Sequence, residues 1–346
     1  MKHSKPARVL AVLLACVLLC ACEKQEASVE GVTSSVFAMD TIMDLTPYGA
    51  AAEEANTAAE ARILELESLF SVTQEGSDVY RANHGDGVPV TVSEDTAALL
   101  ETALRVCAQT DGALDISIYP VLRTWGFTTG SYQVPDEAEI QSLLERVNYR
   151  DIAFDADART VSLPDGMEID LGSVAKGYTG DQVMQVFRDT GVTSGMINLG
   201  GNVQVLGTKP DGSAWRVAVQ DPRGDGYVGV IEAVDQAVIT SGGYQRYFEQ
   251  DGEIYWHILD PATGAPAHSG VISATAVGDS GTMCDALSTA LFVMGADRAE
   301  DYWRTYGGFD YLLVTEDGKI ILTEGLADRF EPLGTWESSS VTVVKK

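Results

Sequence analysis

Apolar and polar positions follow two rhythms along this chain, and the switches between them mark its elements. "SSVFAMDTIMDLTPYG" (34–49) reads as a strand, and the Ala- and Glu-rich amphipathic stretch after it, "AAEEANTAAEARILELESLFS" (51–71), as a helix. A second helix is predicted within "VSEDTAALLETALRVCAQTDG" (92–112), where Ser93 stands as N-cap, acids fill the first turn and Gly112 follows the end. A third follows Pro135 in "PDEAEIQSLLERV". The middle segment "MEIDLGSVAKGYTGDQVMQVFRDTG" (167–191) reads as strand, turn and helix. After "MINLGGNVQVLG" (196–207) the pattern is mostly strands, including "WRVAVQDP" and "YVGVIEAVDQAVITSG". In "YQRYFEQDGEIYWHILD" (244–260), Asp251-Gly252 separates two aromatic-rich runs, a hairpin signature. One more helix in "CDALSTALFVMG" (284–295) and a last hairpin around "EDGK" complete the series. Strands and helices do not alternate regularly, so the expected class is α+β, with mixed, largely antiparallel sheets and packed helices.

The N-terminal end changes the picture of location. Lys2, Lys5 and Arg8 precede "VLAVLLACVLL", an apolar run too short to span a bilayer but suited to an export signal. It ends in "LCAC", which resembles the lipobox of bacterial lipoproteins, with cleavage before Cys22 and lipid on its thiol. The expected organisation is a signal peptide at 1–21, a polar tether at 22–35 and one large domain, or two interlocked subdomains, at 36–340. Localisation would be the extracytoplasmic face of the cell membrane. The 346 residues carry a formal charge of -28, which argues against nucleic acid and against adhesion to anionic lipid, so any membrane attachment rests on the anchor. Beyond that end only Cys107 and Cys284 remain, two distant cysteines expected to be buried, small apolar residues.

Four local patterns bear on chemistry. In "MEIDLGSVAKGY", an expected strand delivers Asp170, Gly172-Ser173 turns the chain and Lys176-Gly177 opens a helix. A phosphate suits such a terminus, and an incidental surface lysine suits it as well. In "CDALSTALF", Asp285 and Thr289 are four residues apart and share a helix face. As hard oxygen donors they suit Mg²⁺, while a first-turn acid and a back-bonded threonine account for the same pattern. "NLGGN" and "TSGGY" end strands with glycines that permit a tight bend or close approach to a ligand. Finally, His257 is placed in a strand that runs into the turn "DPATG". It is either a packed core residue or a side chain held to move a proton, and the local pattern leaves both open.

In order along the chain, "FAMDT", "ELESLFSVTQEGSDVYRAN", "TDGALDISIYPVLRTWGF", "VPDEAEIQSLLERV", "EIDLGSVAKGYTGDQV", "MINLGGNVQVLG", "VITSGGYQRYF", "HILDPATGAP" and "CDALSTALFVMG" resemble the ApbE family of bacterial FAD:protein FMN transferases. The resemblance spans about Phe37 to Gly295 and implies a fold related to the T-fold. It implies Mg²⁺-dependent transfer of the FMN half of FAD to a threonine or serine hydroxyl, with release of AMP. The acceptor would be a separate protein, a membrane redox-complex subunit of Nqr or Rnf type, because no Asp-Gly/Ala-x-Ser-Gly-Ala-Thr-like run occurs in this chain. Carried over by position, flavin-nucleotide contacts would come from Met39, Thr73, Ala113, Leu114, Asp115, Asp170, Lys176 and Leu259. Metal ligands would be Ser173, Asp285 and Thr289, with His257 at the transfer site. Two positions depart from the family pattern: Asp40 stands where Gly is common, and Thr73 where an aromatic residue often stacks on the nucleotide. The same site would serve an FAD pyrophosphatase giving FMN and AMP. A flavin-binding lipoprotein would need neither metal nor base.

Overall fold

In a computed structural model, which describes residues 30–346, the dominant element is a nine-stranded sheet. Its strands are β1 (Ser34–Ala38), β2 (Thr41–Pro47), β3 (Gly195–Leu199), β4 (Asn202–Leu206), β5 (Ala237–Gly242), β6 (Val271–Gly278), β7 (Asp310–Thr315), β8 (Ile320–Thr323) and β9 (Val341–Val344). They lie side by side in chain order, all antiparallel except the parallel β8–β9 pair. The helices are α1 (Ala52–Phe70), α2 (Asp78–Asn83), α3 (Glu94–Gln109), α4 (Tyr119–Thr124), α5 (Glu137–Leu144), α6 (Gly172–Asp189) and α7 (Gly281–Tyr306). The α+β class and the antiparallel character follow the sequence reading. The signal peptide and Cys22 lie outside the described residues. The expected tether to residue 35 runs into structure, since Gly31 bridges Tyr48 and Ser34 opens β1. Among the described residues no helix is long and apolar enough to cross a membrane.

The central strands are covered on both faces, so alternate residues go to different partners rather than to core and solvent. Val238, Val277 and Leu312 pack with Trp215, Val217, Val228 and Ile231, residues of a small three-stranded sheet formed by Trp215–Gln220, Tyr227–Ala233 and Phe330–Pro332. Their chain neighbours Ile239, Ala276 and Leu313 pack instead with Ala286, Leu287, Ala290 and Leu291 of α7. At the β1–β4 end, Met43, Leu45, Ile197 and Leu199 meet Ala55, Ala59 and Ile63 of α1 and Val183 and Phe187 of α6. The buried positions of α1 recur at helical spacing, which is the amphipathic stripe read from the sequence.

Three elements differ from expectation. The first predicted strand is a hairpin, because Met39 (φ 49°) and Asp40 (φ 59°) take left-handed backbone and reverse the chain between β1 and β2. No strand forms at 167–170; that segment is tied by Asp170 N–H to the Ile116 carbonyl and by Ile169 N–H to Asn83. The helix expected to end at Gly295 breaks there (φ 74°) and resumes to Tyr306. Ser93 caps α3 as read, its side chain accepting from Thr96 N–H. Cys107 and Cys284 are buried free thiols.

Candidate active site

The site is built where α6 crosses α7 beside the ends of β3, β4 and β5. The crossing is close because it is made of glycines. A Cβ on Gly177 would lie 2.2 Å from the Gly281 carbonyl oxygen, and one on Gly281 would lie 1.8 Å from Gln204 Nε2. Gln204 on β4 donates to the Gly177 carbonyl at 3.0 Å and ties the crossing to the sheet. Asp181 on α6 accepts from the Gly281 and Thr282 N–H groups at 2.6 and 2.9 Å, capping α7 with a carboxylate where free N–H groups and the helix dipole favour one.

This lock places Asp285 one turn into α7, with Oδ2 accepting from Gly177 N–H at 2.8 Å. In a helix that same N–H points at the carbonyl four residues back, which is that of Ser173. Ser173 therefore lies one helical turn before the N–H group that holds the Asp285 carboxylate. Thr289 lies on the same face of α7, its hydroxyl 3.2 Å from Ser241 Oγ, which in turn lies 2.8 Å from Ser288 Oγ. Burial pushes the Asp285 carboxyl above its usual range, against which Lys176, Gly177 N–H and the nearby Asn202 amide favour the anion. The Asn202 Nδ2 atom is itself buried without a hydrogen-bond partner.

Asp170 accepts from Gly172 N–H at 2.8 Å, at the start of α6. Burial raises its carboxyl too, opposed by Gly172, Arg246 and Lys176. Lys176 is not at the helix opening, as the sequence suggested, but one turn in. There its charge acts on Asp170, Asp285 and His257 together.

His257 lies just past the strand Glu253–Trp256 rather than inside it. Its main-chain N–H and its Nδ1 both lie 3.1 Å from the Arg246 carbonyl oxygen. A carbonyl only accepts, so Nδ1 carries the proton and Nε2 keeps its lone pair. The Phe127 ring stands edge-on at 6.3 Å. Desolvation first, then the positive charges of Arg246 and Lys176, lower the imidazole to about 4. The ring is neutral at pH 7, with a free acceptor nitrogen.

The remaining expected contacts spread around this centre. Met39 is held at the β1–β2 turn, its N–H donating to Glu67 Oε1 at 2.7 Å. Thr73 is exposed in the loop after α1. Ala113 and Leu114 are buried. The Asp115 carboxylate is engaged by Ser117 N–H (2.9 Å), Ser117 hydroxyl (2.6 Å) and Tyr149 N–H (2.9 Å), which fixes the loop it belongs to. Leu259 packs in an apolar cluster with Val121, Trp125 and Phe127. The structure thus brings Lys176, Asp285, Asp170 and His257 together, with Thr289 one turn along α7 from Asp285 and Ser173 one turn before Gly177 on α6. Asp115 and Leu259 are held mainly by their own surroundings.

Sequence reasoning assigned no role to Arg246, Asn202, Gln204 or Asp181. One signal was available: Lys176 is the single Lys or Arg between Arg159 and Arg188, and Arg246 the single one between Arg223 and Arg298. In so acidic a chain, both isolated cations come to the same place.

The donor set also fits a hard divalent ion. No group of three or more His, Cys, Asp or Glu gathers among the described residues, so an ion at Asp285 would take its other donors from hydroxyl, carbonyl and ligand oxygens. Ser173 and Thr289 offer such oxygens. The buried Asn202 amide faces the Asp285 carboxylate and favours its charged form, the form a cation needs.

An antiparallel sheet with a glycine-locked helix pair, one buried and one half-buried carboxylate, a lysine and a neutral imidazole defines an α+β protein suited to an anionic, phosphate-bearing ligand. The chain belongs to the ApbE family, whose model matches residues 39–313. A Treponema pallidum (strain Nichols) relative named FAD:protein FMN transferase is 32% identical over 295 residues, covering 78% of this chain and 82% of that one. A Klebsiella pneumoniae (strain 342) relative of the same name is 34% identical over 284 residues, covering 80% and 88%. The crystal structure of the ApbE protein of Thermotoga maritima superposes with a TM-score of 0.80 at 34% identity, over 84% of this chain and 96% of that one. The flavin transferase ApbE of Vibrio cholerae gives 0.76 at 26% identity, over 89% and 98%.

Proposed function

We propose that this protein transfers the FMN half of FAD to a serine or threonine hydroxyl of a separate protein and releases AMP. The observation that carries the reading is the gathering of Lys176, Asp285 and a neutral His257 with a free Nε2. A binder has no need of that acceptor nitrogen. Ser173, Asp285 and Thr289 would hold Mg²⁺, which when bound offsets phosphate charge and makes the phosphorus more electrophilic. Lys176 binds and orients the diphosphate, while the Asn202 amide supports the charged form of Asp285. Nε2 of His257 takes the acceptor hydroxyl's proton as that oxygen bonds to the FMN phosphorus. The bridging P–O bond breaks, and AMP leaves with its electron pair. The Arg246 carbonyl, already accepting Nδ1–H, stabilises the imidazolium until it loses its proton to solvent. The low proton affinity of the free site is compatible with this role. The substrate's phosphates arrive beside Arg246 and Lys176 and offset the charges that depress the ring.

The N-terminal sequence supports a lipid anchor at Cys22 on the extracytoplasmic face of the membrane, with an acceptor on a membrane redox complex of Nqr or Rnf type. Incubation with FAD, Mg²⁺ and a redox-complex fragment bearing the acceptor hydroxyl should give a fluorescent flavin band on a denaturing gel. AMP without a labelled band would mean that water is the acceptor. No turnover of FAD would make the protein a binder.

A further inference from the structure

Resting on the reading of FAD as substrate, we propose that Arg246 is a phosphate-binding residue of this site and that Asp40 is its displaceable counter-ion, set to yield to the incoming diphosphate.

Arg246 joins three parts of the site. Its carbonyl holds His257 through both the ring Nδ1 and the main-chain N–H. Its guanidinium donates to the Phe127 carbonyl at 3.3 Å through Nη1, and its charge acts on both Asp170 and His257. Its Nη2 lies 4.0 Å from Asp40 Oδ2, an ion pair in which the side chains are 40% and 83% exposed. One hydrogen bond and one loose ion pair leave most of the five N–H donors of the fork free, on a cation whose charge reaches the same Asp170 and His257 as that of Lys176.

The pair is weak by construction, because exposed ion pairs at such a separation hold little against water and salt. A diphosphate carries two charges and several acceptor oxygens, and a planar guanidinium meets phosphate with paired, charge-assisted bonds. It therefore outcompetes a single solvated carboxylate. The placement of Asp40 supports the same conclusion. It sits in left-handed backbone (φ 59°) at a two-residue hairpin turn, a position that glycine or asparagine fills with least strain. The carboxylate there is not required by the turn. Its effect is to keep the Arg246 charge partly neutralised, and the fork turned toward the hairpin tip, while the site lacks substrate.

The test is a two-by-two comparison of FAD affinity, read by quenching of flavin fluorescence, in the wild-type protein, Asp40→Asn, Arg246→Gln and the double variant. Riboflavin, which has no phosphate, serves as the control ligand. Arg246→Gln is expected to weaken FAD binding about tenfold or more, the effect of losing charge-assisted hydrogen bonds, and to leave riboflavin binding unchanged. Asp40→Asn is expected to tighten FAD binding about threefold when Arg246 is present and to change nothing in the Arg246→Gln background. Arg246→Lys, which keeps charge but not the fork, should fall between wild type and Arg246→Gln. Equal effects of Asp40→Asn in both backgrounds would overturn the pairing. Parallel losses of FAD and riboflavin affinity would make Arg246 a structural support of His257 and overturn the phosphate role. If none of the four proteins binds FAD, the functional reading itself falls. If all bind it but show no coupling, only this inference falls.

Discussion

The two faces of the main sheet bury apolar side chains to the same depth but differ in what else they bury. Against the small sheet, the contact is Val205, Trp215, Val217, Val228, Ile231, Val277, Leu312 and Val314, and the strand Trp215–Gln220 alternates strictly between buried and exposed. Against α6 and α7, the same sheet also buries Asn202, Gln204 and Ser241, and α7 adds Ser288 and Asp285. The first face is mostly hydrophobic burial, with Ser273, Thr275 and the Trp215 indole N–H as its buried polar exceptions. The second carries a buried carboxylate raised by desolvation, an arrangement that costs stability in a ligand-free protein. One face holds the fold, and the other trades part of that stability for chemistry.

Substitutions can break this contrast or sharpen it. The largest effect is expected on the polar face. Asp285→Ala removes the one carboxylate of the proposed ion site. FAD turnover in the presence of Mg²⁺, followed by AMP release, should drop to background while the circular dichroism spectrum is retained. Turnover at the wild-type level would show that the ion is held elsewhere. His257→Ala should slow transfer by about 10²–10⁴-fold, the usual worth of a general base, with FAD affinity largely kept. Loss of FAD binding in its place would make the ring a packing element.

The apolar face should respond in the opposite sense. Leu312 is fully buried, and Leu312→Ala should cost about 2–5 kcal/mol in urea unfolding, with turnover per folded molecule preserved. A fall in turnover at full folding would erase the distinction between the faces. The smallest expected effect is on acid stability. The folded His257 ring titrates near 4, below its ordinary 6.5, so between those values the unfolded chain binds the proton that the folded one refuses. Stability therefore falls as pH drops from 6.5 toward 4. His257→Gln should flatten that part of the stability–pH curve, and an imidazole resonance titrating near 6.5 in the wild-type protein would remove the basis for it.

How much of the site was legible depended on whether a residue's role is local. Asp285 and Thr289 share a face because they are four residues apart on a helix, which spacing alone states. The Ser93 cap, and the turn at Asp251 (φ 55°) and Gly252 (φ 83°) in left-handed backbone, are likewise decided by a few neighbouring residues. The "AMDT" hairpin was missed because neither Met nor Asp advertises a reversal, and Asp40 adopts one only against the pairing of β1 with β2. Lys176 was set at a helix start because Gly172-Ser173 looked like the turn, whereas the helix begins at Gly172 itself.

By itself the sequence determined the α+β class, the order of most elements, the acidic surface and the family resemblance. Each of these is a sum of local patterns or of composition. Tertiary structure decided the protonation of His257, because the acceptor that fixes its Nδ1 proton is the carbonyl of a residue 11 positions away across a hairpin. It also decided that Asp285, Gly177 and Gln204 meet, since the close approach of α6 and α7 depends on glycines 104 residues apart facing each other. Electrostatic energy depends on distance in space and on removal from water, and neither quantity exists until the chain is folded.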